Sequence, residues 1–159
     1  MTQPMTAAAL DSPKMTLPDP VIAEARSWIG TPYRHQASLK GVGCDCLGLV
    51  RGVWRAVCGP EPEAAGSYSS SWAEADREER LAQAADRYLC AIDLAARKPG
   101  DVVLFRWRGH LPAKHAAILS GEEMMIHAHD GERVCEVHLS RWWQRHMAYA
   151  FRFPDMENK

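Results

Sequence analysis

The hydrophobic pattern of the chain changes once, near Lys98, from a helical to a strand-like period. Helices that precede a run of strands are typical of α+β domains, in which the helices pack on an antiparallel sheet. The length of 159 residues fits one such domain. Because four of the ten prolines lie in the first 20 residues, we predict a flexible leader over 1–16 and a single domain over 17–159.

Three helices are predicted before the change of period. Asp19 followed by proline predicts a helix over 20–29. Asp45 can cap a second helix, which Gly59 ends and which is apolar enough to lie in the middle of the protein. A capping-box pattern predicts a third, solvated helix over 71–89.

Strands and one short helix, over 141–146, are predicted after the change of period. The predicted strands cover 102–107, 114–119, 124–128, 133–139 and 148–153. If a three-residue loop centred on Gly121 joins the second and third of these strands, His115 and His127 face each other directly on one side of the sheet. A loop one residue longer or shorter would break this pairing.

Charge and hydropathy exclude two classes of partner. The formal net charge is -1. A nucleic-acid-binding protein or a polybasic membrane anchor would normally carry an excess of Lys and Arg, which this chain does not have. No apolar run approaches the roughly 20 residues needed to span a bilayer, and the first ten residues do not resemble a signal peptide. We therefore expect no membrane insertion, and a protein that is cytoplasmic on synthesis.

The cysteines point to a reactive thiol. Their number, five, is odd, so at least one is free, and a disulfide scaffold is not expected in a chain of this size. Cys46 follows the predicted cap of the second helix, where the helix dipole and unpaired N–H groups favour a thiolate and can hold an oxyanion. A cysteine nucleophile needs a base, and the facing pair His115 and His127 supplies the candidates, since one imidazole could orient the other. His129, which lies on the same strand face, is an alternative to His127.

Five short motifs carry a resemblance to a known family. In chain order they are Gly30-Thr31-Pro32-Tyr33, Asp45-Cys46-Leu47-Gly48-Leu49-Val50, Gly100-Asp101-Val102-Val103-Leu104-Phe105, His115-Ala116-Ala117-Ile118 and Ile126-His127-Ala128. Together they resemble the NlpC family of papain-like cell-wall peptidases. The resemblance implies a papain-like α+β fold and no cofactor. It also implies a site in which Cys46 is the nucleophile, His115 the base and His127 its orienting partner, with Tyr33 and Asp45 on the oxyanion and substrate side.

The same resemblance implies a substrate and a setting. The family typically cleaves the γ-D-glutamyl-diaminopimelate bond of peptidoglycan stem peptides. Residues 31–51 further resemble the branch carried by phage tails and gene transfer agents. We therefore expect the protein to contact tail or baseplate proteins and to act on the cell wall from a virion-like particle. The chain departs from the family at Leu47, where Ser is usual, and at 34–36, where Trp-Gly-Gly is usual.

Two other functions stay open from the residues alone. Cys44, Cys46, His127 and His129 have the residue types of a Cys₂His₂ metal site. A tail component that kept the fold but lost turnover is the second alternative. Cys44 itself is interpreted first as a packed thiol, and otherwise as a redox partner or metal ligand.

Overall fold

A computed structural model describes residues 19–62 and 79–155. The helices are α1 (Pro20–Ser27), α2 (Cys46–Cys58), α3 (Arg80–Tyr88) and α4 (Arg141–Arg145). The strands are β1 (Ser38–Leu39), β2 (Gly43–Cys44), β3 (Cys90–Ile92), β4 (Val102–Phe105), β5 (His115–Leu119), β6 (Met124–His127), β7 (Cys135–His138) and β8 (Met147–Arg152). Among the described residues, no helix combines the length and the apolar character needed to cross a bilayer.

Strands β3 to β8 form one sheet in the order β3-β8-β4-β5-β6-β7. All neighbouring strands are antiparallel, and β4 to β7 follow one another as a meander. The predicted α+β fold, with helices first and an antiparallel sheet after them, is confirmed. The short strands β1, β2 and β3 were not predicted, because two or three residues are too few to show a period.

The predicted helix starts are confirmed wherever the structure describes them. The Asp19 carboxylate accepts a hydrogen bond from Val21 N at 2.8 Å, and α1 ends two residues before the predicted boundary. Asp45 caps α2, and Gly59 follows its last residue. Helix α3 overlaps the end of the predicted helix over 71–89; the capping box at 71–74 and the predicted leader over 1–16 lie outside the described residues.

The sheet has an apolar layer on each face. Helices α1 and α2 pack on one face, against Val102, Leu104, Ala116, Ile118 and Ile126. The opposite face carries Val103, Phe105, Ala117, Leu119 and Met125, which pack with Trp143 and other partly buried side chains. Every residue of β4 and β5 is consequently buried. These two strands are therefore central to the sheet and to the core.

Two glycines let α2 approach its neighbours closely. A Cβ atom at Gly48 would lie 1.9 Å from the carbonyl oxygen of Ala37, and one at Gly52 would lie 2.0 Å from the Trp28 ring. The Ser38 hydroxyl also donates to the Gly48 carbonyl at 2.6 Å. The loop before β1 and the end of α1 therefore rest directly on the α2 backbone.

The register of β5 and β6 differs from the prediction. Ile118 lies opposite Ile126 and Leu119 opposite Met125, a shift of two residues that makes the connection longer than the predicted loop. In this register His127 is a diagonal neighbour of His115, not a direct one, so the predicted pairing is wrong. A shift of two residues leaves each side chain on its original face, and both imidazoles therefore stay on the same side of the sheet.

Candidate active site

Asp45 fixes the start of the helix that carries Cys46. Its Oδ1 atom accepts from Gly48 N and its Oδ2 atom from Gln36 N, both at 2.7 Å. Gln36 adopts a φ of 65°, in the left-handed region that non-glycine residues rarely enter, and its N–H is thereby bonded to the carboxylate. One buried side chain thus ties the preceding loop to the first turn of α2 and holds Cys46 as its first residue.

The hydrogen bonds of Asp45 do not favour the predicted role on the substrate side. The residue is 1% exposed, and each carboxylate oxygen already accepts a backbone N–H. A carboxylate also repels a developing oxyanion. The contacts are those of a residue that positions Cys46, whereas direct contact between Asp45 and substrate stays a prediction.

The two predicted histidines are in contact. His115 begins β5, His127 ends β6, and both are buried. The Nε2 atom of His115 lies 2.9 Å from the Nδ1 atom of His127. One of these nitrogens donates and the other accepts, so the contact couples the tautomers of the two rings. The predicted contact is confirmed, although the register that brings it about is the diagonal one.

Aromatic side chains enclose the His115 ring. Trp107 stacks on it with the centroids 5.8 Å apart, and Trp143 and Phe105 lie at 5.5 and 5.9 Å. Burial, reinforced by His127 and the nearby His129, lowers the pKa of His115 well below its ordinary value of 6.5. Burial likewise lowers the pKa of His127 to about 4. Both imidazoles are therefore neutral at neutral pH.

Cys46 differs from the sequence-based expectation in its charge state. Burial, reinforced by the Asp45 carboxylate, raises the pKa of the Cys46 thiol to about 12. Backbone hydrogen bonds to the sulfur from Ala116 and Leu47 act in the opposite direction without overcoming burial. The predicted stabilisation of a thiolate by backbone N–H groups is therefore present, but burial outweighs it. In the resting site the thiol and both imidazoles are uncharged.

Cys46 and His115 open onto one cleft with a volume of about 320 Å³, the lower end of the usual range for ligand pockets. Among the residues that line it are Tyr33, Cys46, Trp107, Lys114, His115 and His129. Cys46 and His115 therefore face the same space. His127 is not among the lining residues and contacts His115 from behind.

Tyr33 is half-buried and lines the cleft. Its backbone forms an isolated parallel β-bridge with Cys44 of β2. Burial, with the acidic groups of Cys46 and Asp45 adding to it, raises the pKa of the Tyr33 hydroxyl above its ordinary value. The hydroxyl is therefore protonated and able to donate into the cleft. Its assignment to an oxyanion stays a prediction.

The structure separates the roles of His127 and His129. The His129 ring is 5.4 Å from the His115 centroid and 5.7 Å from that of His127, but the hydrogen bond to His115 is made by His127. His127 is therefore the better placed orienting residue, as predicted. Sequence reasoning did not link Trp107 or Trp143 to His115; the alternation from Val103 through Phe105 to position 107 could have placed Trp107 on that face.

The alternative metal site is not assembled. Within residues 19–62 and 79–155, no three His, Cys, Asp or Glu side chains lie close enough together to hold a metal ion. Cys44 is a fully buried free thiol in the core beneath α2, and burial raises its pKa to about 12. Its packing interpretation is confirmed, and a Cys₂His₂ site with Cys46, His127 and His129 is wrong.

The sequence model of the NlpC/P60 family matches residues 30–152. The gamma-DL-glutamyl hydrolase of Bacillus subtilis is 31% identical over 140 residues, which are 86% of this chain. This chain spans 30% of the length of that relative.

Solved structures of similar fold include the NlpC/p60 domain of the peptidoglycan hydrolase SagA, with a TM-score of 0.58, 24% identity and coverage of 87% of this chain and 100% of that one. An NlpC/P60 family protein from Bacillus cereus has a TM-score of 0.61 and 21% identity, over 87% of this chain and 40% of that one. The peptidoglycan hydrolase RipB from Mycobacterium tuberculosis has a TM-score of 0.54 and 20% identity, over 98% of this chain and 75% of that one. The family match covers all five sequence motifs, and the antiparallel sheet and its packed helices have the same fold; the chain belongs to the NlpC/P60 family.

Proposed function

We propose that the protein is a cysteine peptidase that hydrolyses amide bonds in peptidoglycan stem peptides. Cys46 is the nucleophile, His115 the base, and His127 the residue that orients His115. The observation that carries the proposal is the 2.9 Å contact between the two imidazoles, behind a cleft that Cys46 and His115 line together. Membership of the NlpC/P60 family supports the same conclusion.

The hydrogen bond between the histidines selects the reacting nitrogen. Since Nε2 of His115 faces His127, Nδ1 is the nitrogen left to take the thiol proton. In that tautomer His115 donates its Nε2–H to the lone pair on Nδ1 of His127. His127 therefore stabilises the imidazolium that forms on His115 when the thiol is deprotonated.

The reaction starts from uncharged groups and proceeds in two halves. The sulfur attacks the amide carbonyl as its proton moves to His115, and an oxyanion forms. The N–H groups at the start of α2 and the Tyr33 hydroxyl are the donors for this oxyanion. His115 then protonates the leaving amine, which departs and leaves a thioester. Water, activated by His115, hydrolyses the thioester and restores the thiol.

The bond that we propose is the amide between γ-D-glutamate and diaminopimelate. The name of the Bacillus subtilis relative, a gamma-DL-glutamyl hydrolase, supports a γ-glutamyl bond, as does the resemblance of the motifs. A γ-linked glutamate keeps a free α-carboxylate, and Lys114 supplies a positive charge in the cleft wall next to His115. This pairing of charges fits a γ-linked substrate better than an ordinary peptide bond.

Delivery to the wall is the second part of the proposal. We propose that a phage-tail or gene-transfer-agent particle carries the protein and that tail-tip or baseplate proteins are its partners. The resemblance of residues 31–51 to that branch supports this setting. Immunoelectron microscopy with antibodies against this chain should label one end of the tail; purified particles that lack the chain would contradict the delivery route.

Mass spectrometry of stem-peptide digests tests the activity. Wild-type protein should release L-alanyl-D-glutamate from a tetrapeptide that contains diaminopimelate, and Cys46→Ala should release none. Cys90→Ala is the matched control, since Cys90 is an exposed free cysteine on β3 that does not line the cleft. A folded Cys46→Ala protein that cleaves at the wild-type rate would overturn the proposal.

A further inference from the structure

An aromatic platform extends from the cleft to the protein surface; it consists of Trp107, Trp142 and His146. Trp107 lines the cleft, and its ring centroid is 5.8 Å from that of Trp142. His146 stacks on Trp142 with an interplanar angle of 20°. The platform therefore begins beside His115 and ends in solvent.

Trp142 is held in place although the residue is 49% exposed. Its ring meets Trp143 edge to face at 4.9 Å, and its own carbonyl oxygen is hydrogen bonded to Nδ1 of His146. Ser140 caps this short helix by accepting from Trp143 N. An ordered indole that exposes half of its surface beside a cleft is typical of ligand-binding surfaces.

The other large exposed apolar side chains of the described residues are aliphatic: Ile29, Leu39 and Val42. None of them lines the cleft. They lie at the end of α1 and around the β1–β2 turn. Trp142 differs from these side chains in two ways. It is aromatic, and it contacts Trp107, which lines the cleft.

The chemistry of the platform suits a sugar ring. The face of an indole is negative, and the C–H face of a pyranose is apolar and weakly positive, so the two stack while the hydroxyls stay in water. His146 covers one face of the Trp142 indole, so the sugar would stack on the ring surface that stays exposed. Exposed Arg141 and Arg145 flank Trp142 and supply hydrogen-bond donors for those hydroxyls. The stem peptide of the proposed substrate carries no aromatic side chain that would stack there.

We propose that the aromatic platform is a carbohydrate subsite that binds the amino sugar to which the stem peptide is attached. The inference rests on the proposed function, because that substrate joins a peptide to a sugar. Two residues separate the sugar from the scissile bond, and two ring-to-ring steps of 5.8 Å separate His115 from Trp142. These spans are of the same order, since an extended residue covers roughly 3.5 Å and a γ-linked one more.

A pair of substrates with the same tetrapeptide tests the subsite, one linked to the wall disaccharide and one free. Trp142→Ala should lower kcat/KM about five- to tenfold on the disaccharide-linked peptide and leave the free peptide unchanged. Trp142→Phe, which keeps an aromatic face, should recover part of the loss. Leu39→Ala, which removes a similarly exposed apolar side chain that does not line the cleft, should change neither. Equal losses on both substrates, or no loss on either, would overturn the subsite.

Affinity gives a readout that does not need turnover. In a Cys46→Ala background, calorimetry should show that adding Trp142→Ala weakens binding of the disaccharide-tetrapeptide about five- to tenfold and leaves binding of the free tetrapeptide unchanged. If wild-type protein fails to cleave either substrate while this difference in affinity holds, the peptidase proposal is wrong and the subsite stands. If cleavage occurs and the affinities do not differ, the subsite is wrong and the peptidase proposal stands.

Discussion

The Nε2 atom of His115 and the Nδ1 atom of His127 are joined at 2.9 Å across two adjacent strands, beneath a stacked tryptophan. Both rings are removed from water, and burial disfavours a proton on either of them. The pair is thus neutral at physiological pH, and Nδ1 of His115, which lies outside the hydrogen bond, is the nitrogen that can accept a proton. Its consequences for activity and stability are measurable.

The acid limb of the activity profile should lie well below pH 6.5. His115 acts as a base only when it is neutral, and burial lowers its pKa well below the ordinary value. As pH falls through 6.5, His115 stays neutral and activity persists, and it is lost only at more acidic pH. The measurement is kcat/KM against pH on a stem peptide; a half-maximal point at or above 6.5 would contradict the role of burial.

Replacing Trp107 should move that acid limb upward. Trp107→Leu removes the indole stacked on His115 and admits water to the ring, so the pKa of His115 rises toward 6.5. The other imidazole rings that face His115 are those of His127 and His129, which the substitution leaves in place. Trp107→Phe should retain most of the wild-type profile. An unchanged acid limb in a folded Trp107→Leu protein would show that Trp107 does not shield the base.

Alkylation of Cys46 should be slow at neutral pH and rise steeply into the alkaline range. Burial raises the pKa of this thiol to about 12, so its thiolate fraction at pH 7 is below that of free cysteine. Iodoacetamide labelling, followed by peptide mass spectrometry between pH 6 and pH 10, measures the rate at each cysteine. Exposed Cys90 reports the labelling of an accessible thiol in the same sample. Labelling of Cys46 at pH 6 faster than that of free cysteine would contradict the neutral resting state.

The domain should lose stability between pH 6.5 and about pH 4. In this window an unfolded His127, with a pKa near 6.5, takes up a proton that the folded residue, with a pKa of about 4, does not. The free energy of the unfolded state therefore falls relative to that of the folded state, by roughly 3 kcal/mol at the acid end. Urea unfolding at pH 7 and pH 4 measures the difference, which His127→Gln should reduce. If the free energy of unfolding of His127→Gln falls with pH as much as that of wild type, the loss of stability comes from other groups.

A methyl group at Gly52 should destabilise the fold. Alanine favours a helix by about 1 kcal/mol, but its Cβ would lie 2.0 Å from the Trp28 ring, and relieving that contact costs about 1 to 3 kcal/mol. Gly109→Ala is the control, because a Cβ there meets nothing within 4 Å. The midpoint of urea unfolding should fall for Gly52→Ala and stay near wild type for Gly109→Ala. A Gly52→Ala protein more stable than wild type by the full helix preference of alanine, about 1 kcal/mol, would mean that Trp28 moves aside at no cost.

The sequence predicted best those structural features that neighbouring residues determine. An aspartate that bonds the N–H groups just after it defines a helix start within four residues, so the position of Cys46 was predictable from Asp45 alone. Strand alternation placed His115 and His127 on one face correctly. Their register was wrong by two residues because alternation has a period of two and does not fix the length of the connecting loop.

Properties that depend on the whole fold were not predictable in this way. The thiolate expected at Cys46 followed from its position at the helix start. Burial, which opposes a thiolate, depends on the whole fold and was not part of that expectation. The contact of Trp143 with His115 joins residues on separate elements through tertiary packing. No spacing in the chain signals such contacts, since they follow from how the sheet and α4 fit together.

Strand β5, which carries His115, lies between β4 and β6 and is buried on both faces. A strand enclosed in this way exchanges its amide hydrogens only when the domain unfolds globally, whereas the first turn of a helix frays on much shorter timescales. We therefore expect the His115 imidazole to move less than the Cys46 sulfur, which lies in the first turn of α2. The cap that Asp45 provides, one residue before the proposed nucleophile, is then the contact that limits movement of the sulfur relative to His115.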